Sequence, residues 1–299
     1  MPSRGLHGPI HRKEAVKILL IGTGYIGSMF VWQIQSAGKN LVQVFHHTEV
    51  RDLLGAIWNN RFENCVVINC AAYVKDGRAD ACEDNKADTL IGNLVLPSRI
   101  AEVCHMSNVP LLHVSTACLY NGGKDGSGWT EDDPPQLSWR TRNDCGSYVA
   151  SKQLAEEVVS QSCDAWIARV RLPFDNVDHH RNFISKIRNY PKVYNNVNSL
   201  AHRGEFVSAC LQMIEKRVPF GTYNVLNQGS IWTHDICDMM NRIPSLARKF
   251  VYWDEDEFMR DVAKTPKSNC TLSVKKLLNT GINMRCVVQA VEESIRNWE

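Results

Sequence analysis

The chain has 299 residues, of which 44% are hydrophobic and 22% are charged, a composition typical of a globular protein with one large domain or two smaller ones. A formal charge of +2 gives no field strong enough to favour nucleic acid or an acidic membrane surface, and no apolar run approaches the roughly 20 residues that cross a bilayer. Small-molecule chemistry is therefore the expected function.

The chain begins with residues 1–15, which have no apolar periodicity and no hydrophobic stretch like that of a secretory signal. They predict a flexible N-terminal arm. Eleven cysteines are scattered without a CxxC pair or a Cys/His spacing suited to zinc, which is typical of reduced thiols inside the cell. We therefore expect a cytoplasmic protein without a metal site.

From Val16 onward, strands and helices alternate. The run "VKILLIG" predicts a first strand, and "YIGSMFVWQIQSAG" then takes helical spacing. Four more strands are predicted at "LVQVFHH", "CVVINCAAY", "VPLLHVST" and "AWIARVRLP", with helical segments between them. Nearly continuous apolar strands that alternate with helices predict an α/β fold, a Rossmann-type doubly wound parallel sheet covered on both faces.

The pattern changes after residue 172, where the chain becomes polar, rich in Asn and poor in strand signal. The later run "GTYNVLN" looks like one more strand of the sheet. We therefore predict that 16–172 form the Rossmann domain and that 203–232 return to it. The remaining segments, 173–202 and 233–299, are predicted to form a smaller C-terminal lobe over the carboxyl edge of the sheet, where ligands of such sheets bind.

A dinucleotide fingerprint follows the first strand. Gly22, Gly24 and Gly27 in "IGTGYIG" have the GxGxxG spacing, directly between a strand and a helix. Gly22 permits a tight turn, Gly24 lets a diphosphate approach the backbone, and Gly27 allows close packing of the helix on the strand. Glycines also simply end strands, but the position of this motif favours cofactor binding.

The end of the second strand indicates which dinucleotide is bound. An acidic residue there would hold the ribose 2′-hydroxyl of NAD, but the strand ends in Phe45, His46 and His47. His46 and Arg51 could instead contact a 2′-phosphate, so NADPH is favoured, with NADH as the alternative. The two histidines are more simply interpreted as solvated side chains than as metal ligands.

Tyr148 and Lys152 in "SYVASK" are four residues apart on a predicted helix and so share one face. An ammonium beside a phenol lowers the pKa of the phenol, which makes the phenol a usable proton donor to a carbonyl. The YxxxK pattern often occurs by chance on protein surfaces. Here it follows a dinucleotide fingerprint at the distance expected of a short-chain dehydrogenase.

Together these motifs resemble the extended short-chain dehydrogenase/reductases, in the branch that contains dTDP-4-dehydrorhamnose reductase. The third-strand motif "INCAAY", Asn93 and the fourth-strand motif "HVSTACLY" match that branch. Within it, the likeness is greatest to the bifunctional UDP-4-keto-6-deoxyglucose 3,5-epimerase/4-reductases, through "RNFISKIRNY", "NVLNQGSIWTHDI" and "PKSNCTL". The resemblance covers nearly everything after Val16.

The resemblance implies a set of functional residues. Thr116, Tyr148 and Lys152 would form the reductase triad, with Ser115 as an alternative hydroxyl donor, and Cys118 and Lys186 would be the acid/base pair of epimerisation. Residues implied to bind the cofactor are Gly22, Gly24, Tyr25, Ile26, Gly27, His46, Arg51, Ala71, Ala72, Tyr73, Asn93, Tyr148 and Lys152. Residues implied to contact the substrate are Ser115, Cys118, Arg171, Asn182 and Lys267.

The epimerase pair has a simpler alternative, in which Cys118 is a buried thiol at a strand end and Lys186 is a solvated helix lysine. The resemblance favours the catalytic interpretation, and the chemistry is consistent with it, since a ketone at sugar carbon 4 acidifies the hydrogens on carbons 3 and 5; without the resemblance the simpler alternative would be preferred. One departure is Ala117, where the family commonly has glycine before the cysteine. The glycine-rich segment 121–135 is expected to flank the sugar pocket.

The expected function is thus the conversion of a UDP- or dTDP-4-keto-6-deoxyglucose to the L-rhamnose sugar with NADPH. Two alternatives stay open: a monofunctional 4-keto-sugar reductase, and a non-catalytic subunit resembling the regulatory subunit of methionine adenosyltransferase. The sequence does not distinguish UDP from dTDP or exclude a 2-acetamido sugar. It also leaves the oligomeric state open, a homodimer included.

Overall fold

The structure is a computed structural model, and it describes residues 16–38, 41–45, 50–61, 63–74, 77–142 and 144–299. The predicted N-terminal arm lies outside these residues, as do His46 and His47. Within the described ranges, every helix is too short or too polar to span a membrane.

Strands and helices alternate through the first half of the chain, as the sequence predicts. Two short helical turns, one 3₁₀ (Ala79–Cys82) and one π (Ile91–Val95), interrupt the alternation. The regular elements are β1 (Lys17–Ile21), α1 (Tyr25–Ser36), β2 (Leu41–Phe45), α2 (Val50–Asn59), β3 (Cys65–Asn69), α3 (Lys86–Leu90), α4 (Leu96–Ser107), β4 (Leu111–Thr116), α5 (Ser147–Ser162) and β5 (Ala165–Val170).

The second half has shorter strands. Its elements are β6 (Pro173–Phe174), α6 (Phe183–Asn189), β7 (Val197–Asn198), β8 (Ala201–His202), α7 (Arg203–Lys216), β9 (Gly221–Asn224), β10 (Ile231–Trp232), α8 (Thr233–Asn241), α9 (Glu255–Asp261), α10 (Lys275–Leu278) and α11 (Val287–Arg296). Strand pairs β6 with β8 and β7 with β10 lie outside the main sheet.

The main sheet of the described residues is parallel and has the order β2, β1, β3, β4, β5, β9. Its strands β3 and β4 are buried along their whole length, because helices cover both faces. The predicted fold class, a Rossmann-type parallel sheet, is confirmed. The run "GTYNVLN" does return to the sheet, since β9 pairs with β5.

The chain reverses direction across the sheet between β1 and β3, because β2 lies on one side of β1 and β3 on the other. The carboxyl ends of β1 and β3 therefore flank a crevice of the kind that binds ligands in open α/β sheets. A separate apolar cluster is built by residues of the second half, with Phe174, Ile184, Ile236 and Val291 among its buried members. The division into domains at residues 172 and 202 stays a prediction.

Helix α1 packs closely on the turn after β1. A methyl group added at Gly27 would overlap the carbonyl oxygen of Gly22, a backbone atom that cannot move aside. This contact fixes the position of the first turn of α1 relative to the crevice.

We expect Gly27→Ala to lower the free energy of unfolding by about 3 kcal/mol, because the added methyl group overpacks a rigid contact. Gly55→Ala is the matched control, since Gly55 is an exposed position of α2 with no atom within 4 Å of the added methyl group. That change should raise the free energy of unfolding by about 1 kcal/mol through helix propensity. Urea unfolding measures both, and a Gly27→Ala variant as stable as wild type would contradict the close contact.

Candidate active site

A cavity of about 800 Å³ opens at the carboxyl edge of the sheet. Many of the predicted site residues line it: Gly24, Tyr25, Ile26, Ala72, Ser115, Thr116, Cys118, Tyr148, Lys152, Arg171, Lys186 and Lys267. Others in the described part of the chain lie outside its lining: Gly22, Gly27, Arg51, Ala71, Tyr73, Asn93 and Asn182. The sequence therefore predicts twelve residues of one contiguous surface, and seven others of the described part of the chain that lie outside it.

The glycine turn has the shape that a diphosphate needs. Gly22 adopts a φ of +84°, and a methyl group there would lie 2.7 Å from the backbone nitrogen of Ala71 on the neighbouring strand end. Gly24 is open, since a methyl group added there would lie 3.8 Å from the Nη1 atom of Arg181, its nearest neighbour. An open backbone position with a guanidinium above it, at the start of a helix, fits the diphosphate of a dinucleotide.

Tyr25 borders the cavity, but its side chain holds the two halves of the molecule together. Its hydroxyl donates a hydrogen bond to Asp175 at 2.8 Å, and its ring stacks on His179 at 4.7 Å. The guanidinium of Arg203 lies 4.3 Å from the ring centroid. Burial, and then Asp175, raise the pKa of Tyr25 above its usual range. Its hydroxyl is thus committed to Asp175 and not free for the cofactor.

Asn93 supports the cofactor side of the cavity from behind. Its Oδ1 accepts from the backbone nitrogen of Tyr73 at 2.7 Å, and its Nδ2 donates to the carbonyl of Tyr73 at 3.0 Å. The π-helical turn that carries Asn93 packs so closely that a methyl group at Gly92 would lie 2.7 Å from Tyr73. The predicted direct contact with the cofactor is therefore replaced by a role in fixing the segment after β3.

Of the two residues predicted to contact a 2′-phosphate, the one that the structure describes does not line the cavity. Arg51 is exposed near the start of α2 and does not line the cavity. His46 lies outside the described residues. Arg51 therefore does not support the predicted choice of NADPH over NADH.

The predicted triad is assembled from two elements. Thr116 ends β4, Tyr148 lies in the first turn of α5, and Lys152 follows one turn later. A hydrogen bond with Thr116 lowers the pKa of Tyr148, but burial is the larger effect and raises it above its usual range. The net shift is therefore opposite to the lowering expected from the sequence. A phenol that stays protonated suits the role of proton donor.

Lys152 is 2% exposed, and its amine bonds inward. Its Nζ donates to the carbonyl oxygen of Val114 at 2.9 Å and lies 3.3 Å from the Nε2 atom of His113. Burial lowers the pKa of Lys152 to about 8, although Glu156 opposes the effect. The amine is thus held against β4 and exchanges its proton more readily than a solvated lysine.

The sequence analysis missed His113 and Asn69, two buried polar residues behind the triad. The Oδ1 atom of Asn69 accepts from the backbone nitrogen of Ala71 at 3.0 Å, which leaves Nδ2 facing the Nδ1 atom of His113 at 3.1 Å. Burial, and then Lys152, lower the pKa of His113 well below its usual range, so the imidazole is neutral. The available signal was a histidine inside the apolar run "LLHVST".

Cys118 and Lys186 lie on the same cavity. The Sγ atom of Cys118 accepts from the Nη1 atom of Arg171 at 3.5 Å, and its backbone nitrogen donates to the Oγ1 atom of Thr116 at 3.1 Å. Lys186 donates to the carbonyl oxygen of Gly77 at 2.9 Å. Burial lowers the pKa of Lys186, and Cys118 acts in the opposite direction. Alanine at position 117 does not prevent Cys118 from reaching the cavity.

One predicted substrate contact is contradicted by the structure. Asn182 is the N-cap of α6, and its amide is used within the chain: Oδ1 accepts from Ile184, and Nδ2 donates to Asp175 and Val177. Arg171 lines the cavity, but it is buried and bonds to protein atoms through Nε and both terminal nitrogens. The partners of Arg171 come from distant segments, so no local sequence pattern indicates them.

Ser115 and Lys267 line the cavity as predicted. The hydroxyl of Ser115 is buried and has no hydrogen-bond partner among the described residues. Lys267 pairs with Asp80, and nearby Lys264 pairs with Asp84 at 2.6 Å. These two ion pairs connect the segment that precedes Cys270 to the 3₁₀ turn Ala79–Cys82 and the residues just after it.

The glycine-rich segment 121–135 does not flank the cavity, contrary to expectation. Two isolated bridges, from Gly122 to Cys270 and from Trp129 to Leu272, attach it to the segment that precedes α10. None of its residues lines the cavity. Within the described ranges, no group of His, Cys, Asp or Glu side chains is arranged to hold a metal ion.

The fold and the cavity define a Rossmann-type α/β protein with the Thr, Tyr and Lys arrangement of the short-chain dehydrogenase/reductases. Residues 16–299 match the family model described as "RmlD substrate binding domain", and the chain belongs to this family. The predicted resemblance to the dTDP-4-dehydrorhamnose reductase branch is confirmed.

Two plant proteins are similar in sequence. A bifunctional dTDP-4-dehydrorhamnose 3,5-epimerase/dTDP-4-dehydrorhamnose reductase of Arabidopsis thaliana is 29% identical over 220 residues, which cover 71% of this chain and 69% of that protein. A trifunctional UDP-glucose 4,6-dehydratase/UDP-4-keto-6-deoxy-D-glucose 3,5-epimerase/UDP-4-keto-L-rhamnose-reductase of the same plant is 27% identical over 286 residues. That match covers 93% of this chain but only 41% of the longer protein.

Two solved structures have the same fold. The UDP-rhamnose synthase of Acanthamoeba polyphaga mimivirus superimposes with a TM-score of 0.81 at 20% identity, covering 94% of this chain and 99% of that chain. The dTDP-4-dehydrorhamnose reductase of Bacillus anthracis, solved in complex with NADP, gives a TM-score of 0.76 at 16% identity and covers 94% and 98% of the two chains.

The burial of Lys152 predicts a pH-dependent contribution to stability. Its pKa is about 8 in the folded state and 10.5 in the absence of burial, so between these values the folded state holds fewer protons than the unfolded state. The free energy of unfolding of the wild type should therefore rise relative to Lys152→Met, by up to about 3 kcal/mol, as the pH increases from 8 to 10.5. Urea unfolding at several pH values measures this difference, and a constant difference would contradict it.

Proposed function

We propose that the protein reduces a nucleotide-linked 4-keto-6-deoxyhexose with NADPH and that it also epimerises the sugar at carbons 3 and 5. The observation that carries the proposal is the cavity itself. It brings a hydrogen-bonded Thr116 and Tyr148, the buried Lys152, and both Cys118 and Lys186 beside an open glycine turn.

In the reduction, the chain supplies orientation and a proton. Thr116 and Tyr148 hold the ketone oxygen of the sugar between two hydroxyl groups, and the phenol of Tyr148 gives its proton to that oxygen as the alkoxide forms. Lys152 keeps the phenol in place from one turn further along α5 and provides a nearby group that exchanges protons. NADPH, when bound at the glycine turn, supplies a hydride to the carbonyl carbon.

In the epimerisation, Cys118 and Lys186 exchange protons with the carbons next to the ketone. Both transfers need the carbonyl, because it accepts the electron pair that each C–H bond leaves behind. Reduction removes the carbonyl and so ends the exchange. One cavity therefore suits the order in which epimerisation precedes reduction.

The charge of the cavity supports an anionic substrate. Among its lining residues, Lys192, Lys264 and Lys267 are paired with Glu257, Asp84 and Asp80, whereas Arg78 and Arg181 contribute positive charge. Arg78 and Arg181 take part in no ion pair within the described residues. A nucleoside diphosphate carries the negative charges that such a surface would bind. Relatives named for UDP and for dTDP sugars are both similar to this chain, so either base fits the proposal.

The reductase proposal predicts that Tyr148→Phe lowers the rate of NADPH oxidation with a 4-keto-6-deoxyhexose nucleotide by at least about 100-fold, because the proton donor is lost. Absorbance at the nicotinamide band measures the rate. Tyr252→Phe is the matched control, since Tyr252 does not line the cavity, and it should keep most of the activity. Undiminished oxidation in Tyr148→Phe would refute the assigned role.

The epimerase proposal predicts that Cys118→Ala and Lys186→Met each abolish the entry of deuterium from heavy water into carbons 3 and 5 of the product. The thiol and the amine are the groups that exchange these protons, whereas the triad is left in place. Mass spectrometry and NMR of the product measure the label. Cys286→Ala, at an exposed cysteine, is the control and should exchange normally.

Exchange that continues in both variants would refute the roles assigned to Cys118 and Lys186, whereas absence of exchange in the wild type would leave a monofunctional reductase as the better description. Absence of NADPH oxidation with every 4-keto sugar tested would instead favour the non-catalytic alternative.

A further inference from the structure

Arg171 follows β5 directly and is 2% exposed. Its Nε donates to the Oδ1 atom of Asn198 at 3.0 Å. One terminal nitrogen donates to the hydroxyl of Ser268 at 2.8 Å, and the other donates to the Ser268 carbonyl at 2.5 Å. The guanidinium is thus held in one position by two distant segments.

The charge of Arg171 has no carboxylate partner. Within the described ranges Arg171 belongs to no ion pair, whereas Arg169, two residues earlier and on β5, is buried against Glu156 at 2.7 Å. A buried cation costs free energy unless an anion or a dense set of hydrogen bonds compensates it. Asn198 and Ser268 are neutral. Among the described side chains that accept a hydrogen bond from Arg171, Cys118 is the one that can become an anion, and its sulfur accepts from Nη1 at 3.5 Å.

We propose that Arg171 is a positioning residue for Cys118: it fixes the sulfur at the cavity wall and stabilises negative charge on it, so that Cys118 is the base of the epimerisation. The inference deepens the proposed function and, in its catalytic part, rests on it. A guanidinium is a common means of stabilising a reactive thiolate.

The step balances without any redox partner. The thiolate of Cys118 takes a proton from the carbon next to the ketone, and the electron pair of the C–H bond moves to the carbonyl oxygen to give an enolate. The ammonium of Lys186 then returns a proton to that carbon from the other side, and the carbonyl re-forms. Cys118 is left as a thiol and Lys186 as an amine, and both recover their charges by proton exchange with water.

The direct test is the rate at which iodoacetamide alkylates Cys118 at pH 7, followed by mass spectrometry of the Cys118 peptide in the full-length protein. Two cysteines serve as internal references. Exposed Cys286 reports the activity of the reagent, and buried Cys210 becomes labelled only if the fold is lost. The measured quantity is the rate for Cys118 divided by the rate for Cys286.

Arg171→Gln should lower this ratio about tenfold, because the charge-assisted hydrogen bond to sulfur is lost. Arg171→Lys keeps a cation, so its labelling ratio should be higher than that of Arg171→Gln. Asn198→Asp provides a second variant that leaves Arg171 in place. Its new carboxylate should pair with the guanidinium, so the ratio should also fall.

An unchanged ratio in Arg171→Gln, with Cys210 still protected, would overturn the proposal. If labelling of Cys210 shows that Arg171→Gln has unfolded, Asn198→Asp decides, and an unchanged ratio there overturns it as well. If the ratio depends on Arg171 but no deuterium enters carbons 3 and 5, the pairing of Arg171 with Cys118 is supported and the epimerase part of the proposed function is overturned.

Discussion

The hydrogen bond from the buried amine of Lys152 to the carbonyl of Val114 sets the relation between α5 and β4. It fixes how far along the strand the helix lies, and so places Tyr148, one turn earlier, against Thr116 at the strand end. His113 and Asn69 extend the same connection into β3. A shift of α5 by a fraction of a turn would separate the two hydroxyl groups, and the cavity would keep its shape but lose its proton donor.

Burial shifts the pKa of the phenol and the pKa values of the amines in the cavity in opposite directions. It raises the pKa of the phenol of Tyr148 and lowers the pKa of the amines of Lys152 and Lys186. The phenol therefore holds its proton more firmly, while the amines release theirs more readily than in water. One cavity thus contains both a phenol that holds its proton and amines that exchange protons, which is the distribution that the proposed reduction and epimerisation at one ketone would require.

The sequence predicts the sheet and the glycine turn well, because both depend on local patterns: apolar runs between helices, and three glycines at a fixed spacing. It also identifies Thr116, Tyr148 and Lys152, whose spacing reflects a strand end and one helix face. It fails where a side chain is used by protein partners that no motif encodes, whether these are near or far along the chain. The amide of Asn182 is used by Asp175, and its cap bond and carbonyl contact leave nothing for a ligand. Likewise, nothing near Arg171 in sequence indicates that Ser268 binds it, and the pKa of Tyr148 depends on burial that no motif encodes.

The partners of Arg171 also bear on how the protein matures. Asn198 and Ser268 lie in segments synthesised after the triad, and Ser268 is the later of the two. A nascent chain that has completed β5 contains every residue of the triad, but Arg171 has neither of the neighbours that hold its guanidinium. The position of the Cys118 sulfur is therefore fixed only after the segments that carry Asn198 and Ser268 have docked. A shorter nascent polypeptide contains the thiol without the ordered guanidinium beside it.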